Sequence, residues 1–256
     1  MNNNILIMNF SHVYEYENFY REQNCNIVDF SNLKGTNCYC DDNTASVIKK
    51  SISPYNIEGL HFIDSGNYHY ISSFWIERIK EPFVLVVLDN HTDMQEPAFG
   101  NILSCGSWVQ EVLLKNQYLK KVILIGPPKS SYTFVSDKLI PIYKDDIKIK
   151  EKLKEIINLK KKYKMYMSID KDILSKSYAV TSWSQGGMNL TTLERIIKYF
   201  YSSNTIGIDI CGECPLNYDE CNSRALMIND NTNKELIKFI NCIFYSDYYN
   251  DGILYY

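Results

Sequence analysis

The sequence predicts an α/β fold built on a mostly parallel sheet, and three observations carry that expectation. Eight short apolar runs recur along the chain, helix-like stretches separate several of them, and polar residues suited to chemistry follow the runs at three places. The runs are ILIMNF (5–10), NIVDF (26–30), LHFID (60–64), VLVVL (84–88), VILIG (122–126), KLIPIY (138–143), MYMSID (165–170) and IGIDI (206–210). Each has strand length and lacks apolar–polar alternation, the pattern expected when both faces of a sheet are covered.

Four stretches between the runs read as helices. YISSFWIERIKE (70–81) places Trp75, Ile76 and Ile79 on one face. GSWVQEVLLKNQYLKK (106–121) predicts a helix closing on Lys120 and Lys121, where cations oppose the negative end of the helix dipole. IKIKEKLKEIINLKKKYK (147–164) carries an Ile and Leu stripe inside a charged exterior, with the lysines from 160 onward as a solvated helix end. In TTLERIIKYFY (191–201), Thr191 and Glu194 have capping-box spacing ahead of an apolar face. Strand–helix alternation over the whole length points to a parallel sheet. No repeat, low-complexity linker or composition break divides the chain, so one domain over residues 1–256 is expected.

Composition narrows the class. Apolar residues make up 45% and charged residues 22%, ordinary for a globular protein, and the net charge of −3 offers no basic footprint for nucleic acid. No apolar run approaches the roughly 20 residues that span a bilayer. MNNNILIMNF lacks a basic leader and a small-residue cleavage site, so it reads as the first strand of a cytoplasmic protein. The eight cysteines (25, 38, 40, 105, 211, 214, 221 and 242) read as small buried hydrophobes rather than a disulfide framework. Cys211, Cys214 and Cys221 raise a zinc question, but no second pair follows at ribbon spacing, and the core reading is preferred.

Ligands gather at the carboxyl ends of strands in such sheets. There the chain sets His69 after LHFID, Asp89, His91 and Asp93 after VLVVL, and Asp170 and Asp172 at the end of MYMSID. Four carboxylates and two imidazoles suit a hard or borderline divalent ion such as Mn²⁺. Six ligands are too many for one catalytic metal with an open position, and about right for two metals sharing bridging carboxylates roughly 3.5–4 Å apart. Of the other histidines, His61 reads as a satisfied core residue and His12 as a pocket residue without a partner. Asn67 and Tyr68 read as structural.

GNYH (66–69), DNHTD (89–93), SIDKD (168–172), SQGGMNLTTLERI (184–196) and IGIDICGECP (206–215) follow one another in an order that resembles the arginase/agmatinase/formimidoylglutamase (ureohydrolase) superfamily. The signature there is Asp-x-His-x-Asp, then Ser-x-Asp-x-Asp, with an earlier Gly-Gly-Asp-His of which this chain keeps the His. The resemblance runs from about residue 60 to 215 and marks a divergent member. It implies a three-layer α/β/α sandwich around an eight-stranded parallel sheet, and two Mn²⁺ ions bridged by Asp89 and Asp170. His69 and Asp93 would complete one ion's shell, and His91 and Asp172 the other's. It also implies hydrolysis of a linear C–N bond in a guanidine or amidine by a metal-bridging hydroxide, with Asp93 passing a proton to the leaving amine.

Three departures bear on the substrate. Cys105 in LSCGSW stands where the family carries a shuttling His, and a thiol with an ordinary pKa near 8.5 is a poorer shuttle than imidazole. A gapless match puts Gly212 at the position of the guanidinium-gripping Glu, with Glu213 one residue late. Glu213 is then either a substrate contact reached through a bulge or a structural ion pair, since strict register turns it the other way. Gln95 and Glu96 replace the usual Asn-containing substrate loop. Two further readings stay open: a metal-dependent amide deacetylase on the same fold, disfavoured by the intact Asp-x-Asp, and a metal-binding relative without turnover. The expected partner is a small-molecule substrate, with no nucleic acid and no membrane. Relatives are often trimers or hexamers, which leaves homo-oligomers open.

Overall fold

All eight apolar runs are strands of one sheet in the computed structural model, which describes residues 4–97, 100, 102–143 and 149–251. Residues 147 and 148, expected to begin the charged helix, and residues 1–3 lie outside those described. The strands are β1 (Ile5–Asn9), β2 (Cys25–Asp29), β4 (Leu60–Phe62), β5 (Phe83–Leu88), β7 (Leu119–Ile125), β8 (Leu139–Ile142), β9 (Lys164–Asp170) and β10 (Thr205–Cys211). Their order across the sheet is β2-β1-β4-β10-β9-β5-β7-β8, and every pairing is parallel. Two short strands, β3 (Tyr39–Cys40) and β6 (Leu103–Ser104), form a separate antiparallel ribbon.

Alternate residues of each strand feed two cores, one on each face. Leu6, Met8, Leu85, Val87, Val122 and Leu124 pack under α1 (Asp42–Ile52), α2 (Ile71–Ile76) and α3 (Trp108–Lys115). Ile5, Ile7, Val84, Val86, Leu88 and Ile123 pack with α4 (Ile149–Lys162), α5 (Leu190–Phe200) and α6 (Ser223–Asp251). The sheet is thus apolar on both sides, which is why its strands read as unbroken runs. No described helix is long and apolar enough to cross a membrane.

Several helix ends differ from expectation: α2 closes at Ile76 rather than reaching 81, the charged helix closes at Lys162 with Lys164 already in β9, and two further ends have a visible local cause. The helix expected to close on Lys120 and Lys121 ends at Lys115, and both lysines lie in β7. Asn116 turns extended after the last turn, and its side chain accepts from Tyr118 N (2.9 Å) and Leu119 N (3.1 Å), which directs the chain into the strand. The cap of α5 is Asn189 rather than Thr191; its side chain accepts from Thr192 N at 2.8 Å. Asn is among the strongest N-caps, so it displaces the capping-box reading.

Four neighbouring strands, β4, β10, β9 and β5, point their carboxyl ends to one place. That convergence positions the site.

Candidate metal centre

Asp89 directly follows β5, and its backbone N–H donates to Ile125 O at 3.1 Å. The neighbouring strand approaches so closely that a Cβ on Gly126 would lie 2.1 Å from Asp89 O, so only glycine fits there. His91 N donates to Asp89 Oδ1 at 2.6 Å, bending the segment back on itself. Asp93 then takes a left-handed conformation (φ 49°), uncommon for a residue with a side chain and of the kind that clusters at functional sites. The start of α3 holds it there: Val109 N donates to Asp93 O (3.0 Å), and the buried Trp108 indole donates to Asp93 Oδ2 (2.7 Å). On the adjacent strand, Asp172 N donates to Asp170 Oδ1 at 2.8 Å, curling the segment inward. His69 arrives from the turn after β4, at the head of α2.

All six expected ligands come together: His69, Asp89 and Asp93 form one group, Asp89, His91 and Asp172 a second that shares Asp89, and Asp170 joins through His69. His69 Nδ1 lies 3.0 Å from Asp93 Oδ2, 3.3 Å from Asp89 Oδ2 and 3.6 Å from Asp170 Oδ2. His91 Nδ1 lies 2.7 Å from Asp172 Oδ2 and 3.5 Å from Asp89 Oδ1. The two oxygens of Asp89 therefore face different imidazoles.

The chemistry of these donors fits divalent cations. His69 Nε2 meets Ser168 Oγ at 2.9 Å, and that hydroxyl donates to Asp209 Oδ1 at 2.6 Å. Ser168 must then accept from His69 Nε2–H, which leaves Nδ1 facing the carboxylates. Burial opposes a charge there, but Cys211, Asp89 and Asp93 outweigh it and hold the imidazole well above its usual pKa. A bound cation would take the place of that Nδ1 proton, the pose of a metal-ligating histidine. His69 Nδ1 and Asp89 Oδ2 are buried and make no hydrogen bond to the protein, although charged groups surround them. Such orphaned atoms carry a desolvation penalty that a bound cation removes. Electrostatics agree. Burial and the Asp89 charge push Asp93 up to about 7 and raise Asp170, while burial and the Asp170 and Asp89 charges hold Asp172 well above the carboxylate range. Burial acts to raise Asp89 as well, but His69 and His91 outweigh it and keep that carboxyl low. His91 is raised to about 11: its hydrogen bonds to Asp172 and Asp89 overcome burial.

The ligands open into a cavity of about 170 Å³ whose wall includes Cys105, Gln95, Tyr39 and Trp183. A larger cavity, about 310 Å³, lies against α1, α2 and α3 and contains none of the ligands. Glu213 does not line the site cavity. Its carboxylate is wholly buried, accepting from Lys171 Nζ (2.5 Å) and Asn233 Nδ2 (2.8 Å). Gly212 explains this: it has φ +97°, and a Cβ there would sit 2.6 Å from Asp170 Oδ1 and 2.7 Å from Lys171 N. A glutamate therefore does not fit at 212 with this backbone. Glu96 is exposed, and His12 pairs with Glu15 at the surface. His61 is buried and stacks on Trp75 with ring centroids 3.8 Å apart.

Several supporting residues escaped the reading from sequence. Cys211, read as a core cysteine, donates to Asp170 Oδ2 at 3.2 Å and groups with His69 and Asp170 as potential ligands. Trp108, in a stretch read only as a helix, holds Asp93 and packs against the His69 ring at 4.8 Å. Ser72 donates to Asp209 Oδ1 at 3.0 Å, completing the polar support behind His69. On the other side, Ser184 Oγ meets His91 Nε2 at 2.8 Å, and Trp183 stands edge-on to His91 while donating to Asn67 Oδ1. The Ser of Ser-x-Asp-x-Asp was the one available signal: alternation places Ser168 on the same face as Asp170.

The residue pattern of the Arginase family matches residues 7–230. This chain belongs to the arginase family. The arginase-family fold is also that of agmatine ureohydrolase from Thermoplasma volcanium (TM-score 0.67, 18% identity, covering 98% of this chain and 92% of that one). Formimidoylglutamase from Bacillus subtilis is similar too (TM-score 0.64, 15% identity, 94% and 87% covered). So is Trypanosoma cruzi formiminoglutamase, solved with Mn²⁺ (TM-score 0.60, 10% identity, 93% of each chain). An uncharacterized protein of Thermotoga maritima is 34% identical over 155 residues, which cover 60% of this chain and 58% of that relative's length. The chain thus combines an arginase-family hydrolase fold with candidate metal-binding groups at the carboxyl ends of its central strands.

Proposed function

We propose that the protein is a two-metal hydrolase of linear C–N bonds in a small guanidine or amidine compound, with Mn²⁺ as its metal and the cytoplasm as its compartment. The observation that carries this reading is the placement of Asp89, one oxygen toward His69 and Asp93 and the other toward His91 and Asp172. His69, Asp93, Asp89 and Asp170 would hold one ion, and His91, Asp172, Asp89 and Asp170 the second. When bound, such a pair supplies a water acidic enough to attack at neutral pH and a positive field for developing charge.

The remaining tasks belong to the chain. Ser168, fixed by Asp209, orients His69. Trp108 clamps one oxygen of Asp93, whose carboxyl lines the cavity; in this reading that carboxyl takes a proton and delivers it to the leaving amine. Cys105 contributes wall rather than charge to the cavity. Glu213, committed to Lys171, does not offer a carboxylate to a guanidinium from its present position. That observation favours, as a second reading, a metal-binding family member without ureohydrolase turnover.

Elemental analysis after Mn²⁺ loading, followed by assay of arginine, agmatine, guanidinobutyrate and formiminoglutamate, separates these readings. About two ions per chain with release of urea, ammonia or formamide is expected. A single zinc held by cysteines overturns the metal assignment. Two ions with no product from any substrate favours the second reading.

A further inference from the structure

The ribbon β3–β6 sets two thiols opposite each other in the wall of the site cavity. Tyr39 pairs with Ser104 and Cys40 with Leu103 in antiparallel register. Cys38 leaves the ribbon in a left-handed turn (φ 63°), yet it stays beside Cys105, whose N donates to Cys38 O at 3.0 Å. That backbone bond keeps the two residues at about the separation of paired strands, whose opposed Cα atoms lie about 4.5–5.5 Å apart. A disulfide spans about 4.4–6.8 Å. Both cysteines are free thiols and both line the cavity. Cys38 is partly exposed and Cys105 is buried behind it, so one sulfur meets an incoming reagent and the other waits alongside. Hydrogen bonding between the thiols lowers Cys38 to about 7, which favours the thiolate on the accessible member, and raises Cys105.

We propose that Cys38 and Cys105 form a dithiol–disulfide site, oxidised by hydroperoxides that reach the cavity. The Cys38 thiolate attacks the terminal peroxide oxygen, and the O–O bond breaks. The departing alkoxide takes up a proton and leaves as an alcohol, or as water from hydrogen peroxide. Cys38 becomes a sulfenic acid, oxidised by two electrons. The Cys105 sulfur then displaces the hydroxyl, which leaves as water with the Cys105 proton, and the S–S bond forms. Gln95 N donates to Gly106 O at 2.8 Å, so the new bond would tie the loop that carries Gln95 to the segment before α1. The proposal is independent of the hydrolase reading, because it needs neither a metal ion nor a C–N substrate.

The test is peptide mapping of protein treated with hydrogen peroxide, both as purified and after chelation. Loss of two of the eight free thiols is expected, as a peptide pair joined through 38 and 105 and separated again by dithiothreitol. In Cys105→Ser, Cys38 should stop at a sulfenic acid that dimedone labels, whereas Cys38→Ser should leave Cys105 unmodified at the same dose. Circular dichroism on both variants guards against misfolding. The proposal is overturned if Cys214 and Cys221 cross-link while 38 and 105 stay free. It is equally overturned if Cys38 reacts no faster than the exposed Cys242, or passes to sulfinic acid without the link.

Discussion

The two halves of the candidate metal centre share Asp89 and differ in their walls. In the inner half the side chains of His69 and Asp93 are 1% and 10% exposed, and Ser168, Asp209, Ser72 and Trp108 close around them. In the outer half His91 is 32% exposed, and its supports, Ser184 and Trp183, belong to the irregular segment between β9 and α5. The inner imidazole is thus oriented by buried charge and hydroxyls on strand and helix, and the outer one by a loop beside the cavity. The difference separates two jobs. Under the proposed function, the buried and more fully supported His69 would set metal affinity, and the partly open His91 would face solvent and the incoming molecule.

Substitutions break this comparison in order of size. Asp89→Ala removes the shared carboxylate and should empty both halves, costing more affinity than the ~10–100-fold typical of outer-shell losses; metal analysis by mass spectrometry checks it. His69→Ala should empty the inner half and also disturb the fold around the orphaned Ser168–Asp209 pair. His91→Ala should empty only the outer half and leave the thermal transition of the metal-free protein almost unmoved. Equal effects of the two histidine variants would erase the distinction drawn here. Ser168→Ala should weaken metal binding by about 10–100-fold in the inner half alone, read by titration calorimetry.

The smallest effect at neutral pH concerns His61, on the strand that leads to His69. Burial lowers its pKa to about 3, below the ordinary value of 6.5. The unfolded chain therefore takes up this proton first. The contribution is fully present above about pH 6.5 and is lost as pH falls toward 3. His61→Phe should leave stability near its starting value at pH 7.5 and lose less than the parent on going to pH 4. A parallel acid loss in both proteins would remove His61 as a cause.

Much of this was legible in the sequence because two signals coincide. An apolar run marks each strand, and alternate polar residues after the run mark candidate ligands on one face, so the strands and the six residues that converge at their ends could be named together. Other features carry no such pattern. β3 and β6 are two residues each, too short for periodicity, so the closeness of Cys38 to Cys105 appears only in three dimensions. Cys211 lies in a strand buried on both faces, where a ligand-side thiol and a core thiol look alike. Whether Glu213 meets the cavity or Lys171 turns on the positive φ of Gly212, a backbone choice that residue identity permits without dictating. The helix ends shifted for a similar reason, because Asn116 and Asn189 act through local side-chain bonds rather than through a repeating stripe.

The most direct test of the shared-carboxylate arrangement is electron paramagnetic resonance of the Mn²⁺-titrated protein. The parent should show an exchange-coupled spectrum from two ions held close together across Asp89, and His91→Ala should show only a single-ion spectrum. A parent that gives single-ion signals throughout the titration, or an Asp89→Ala variant that keeps the coupled spectrum, would contradict it.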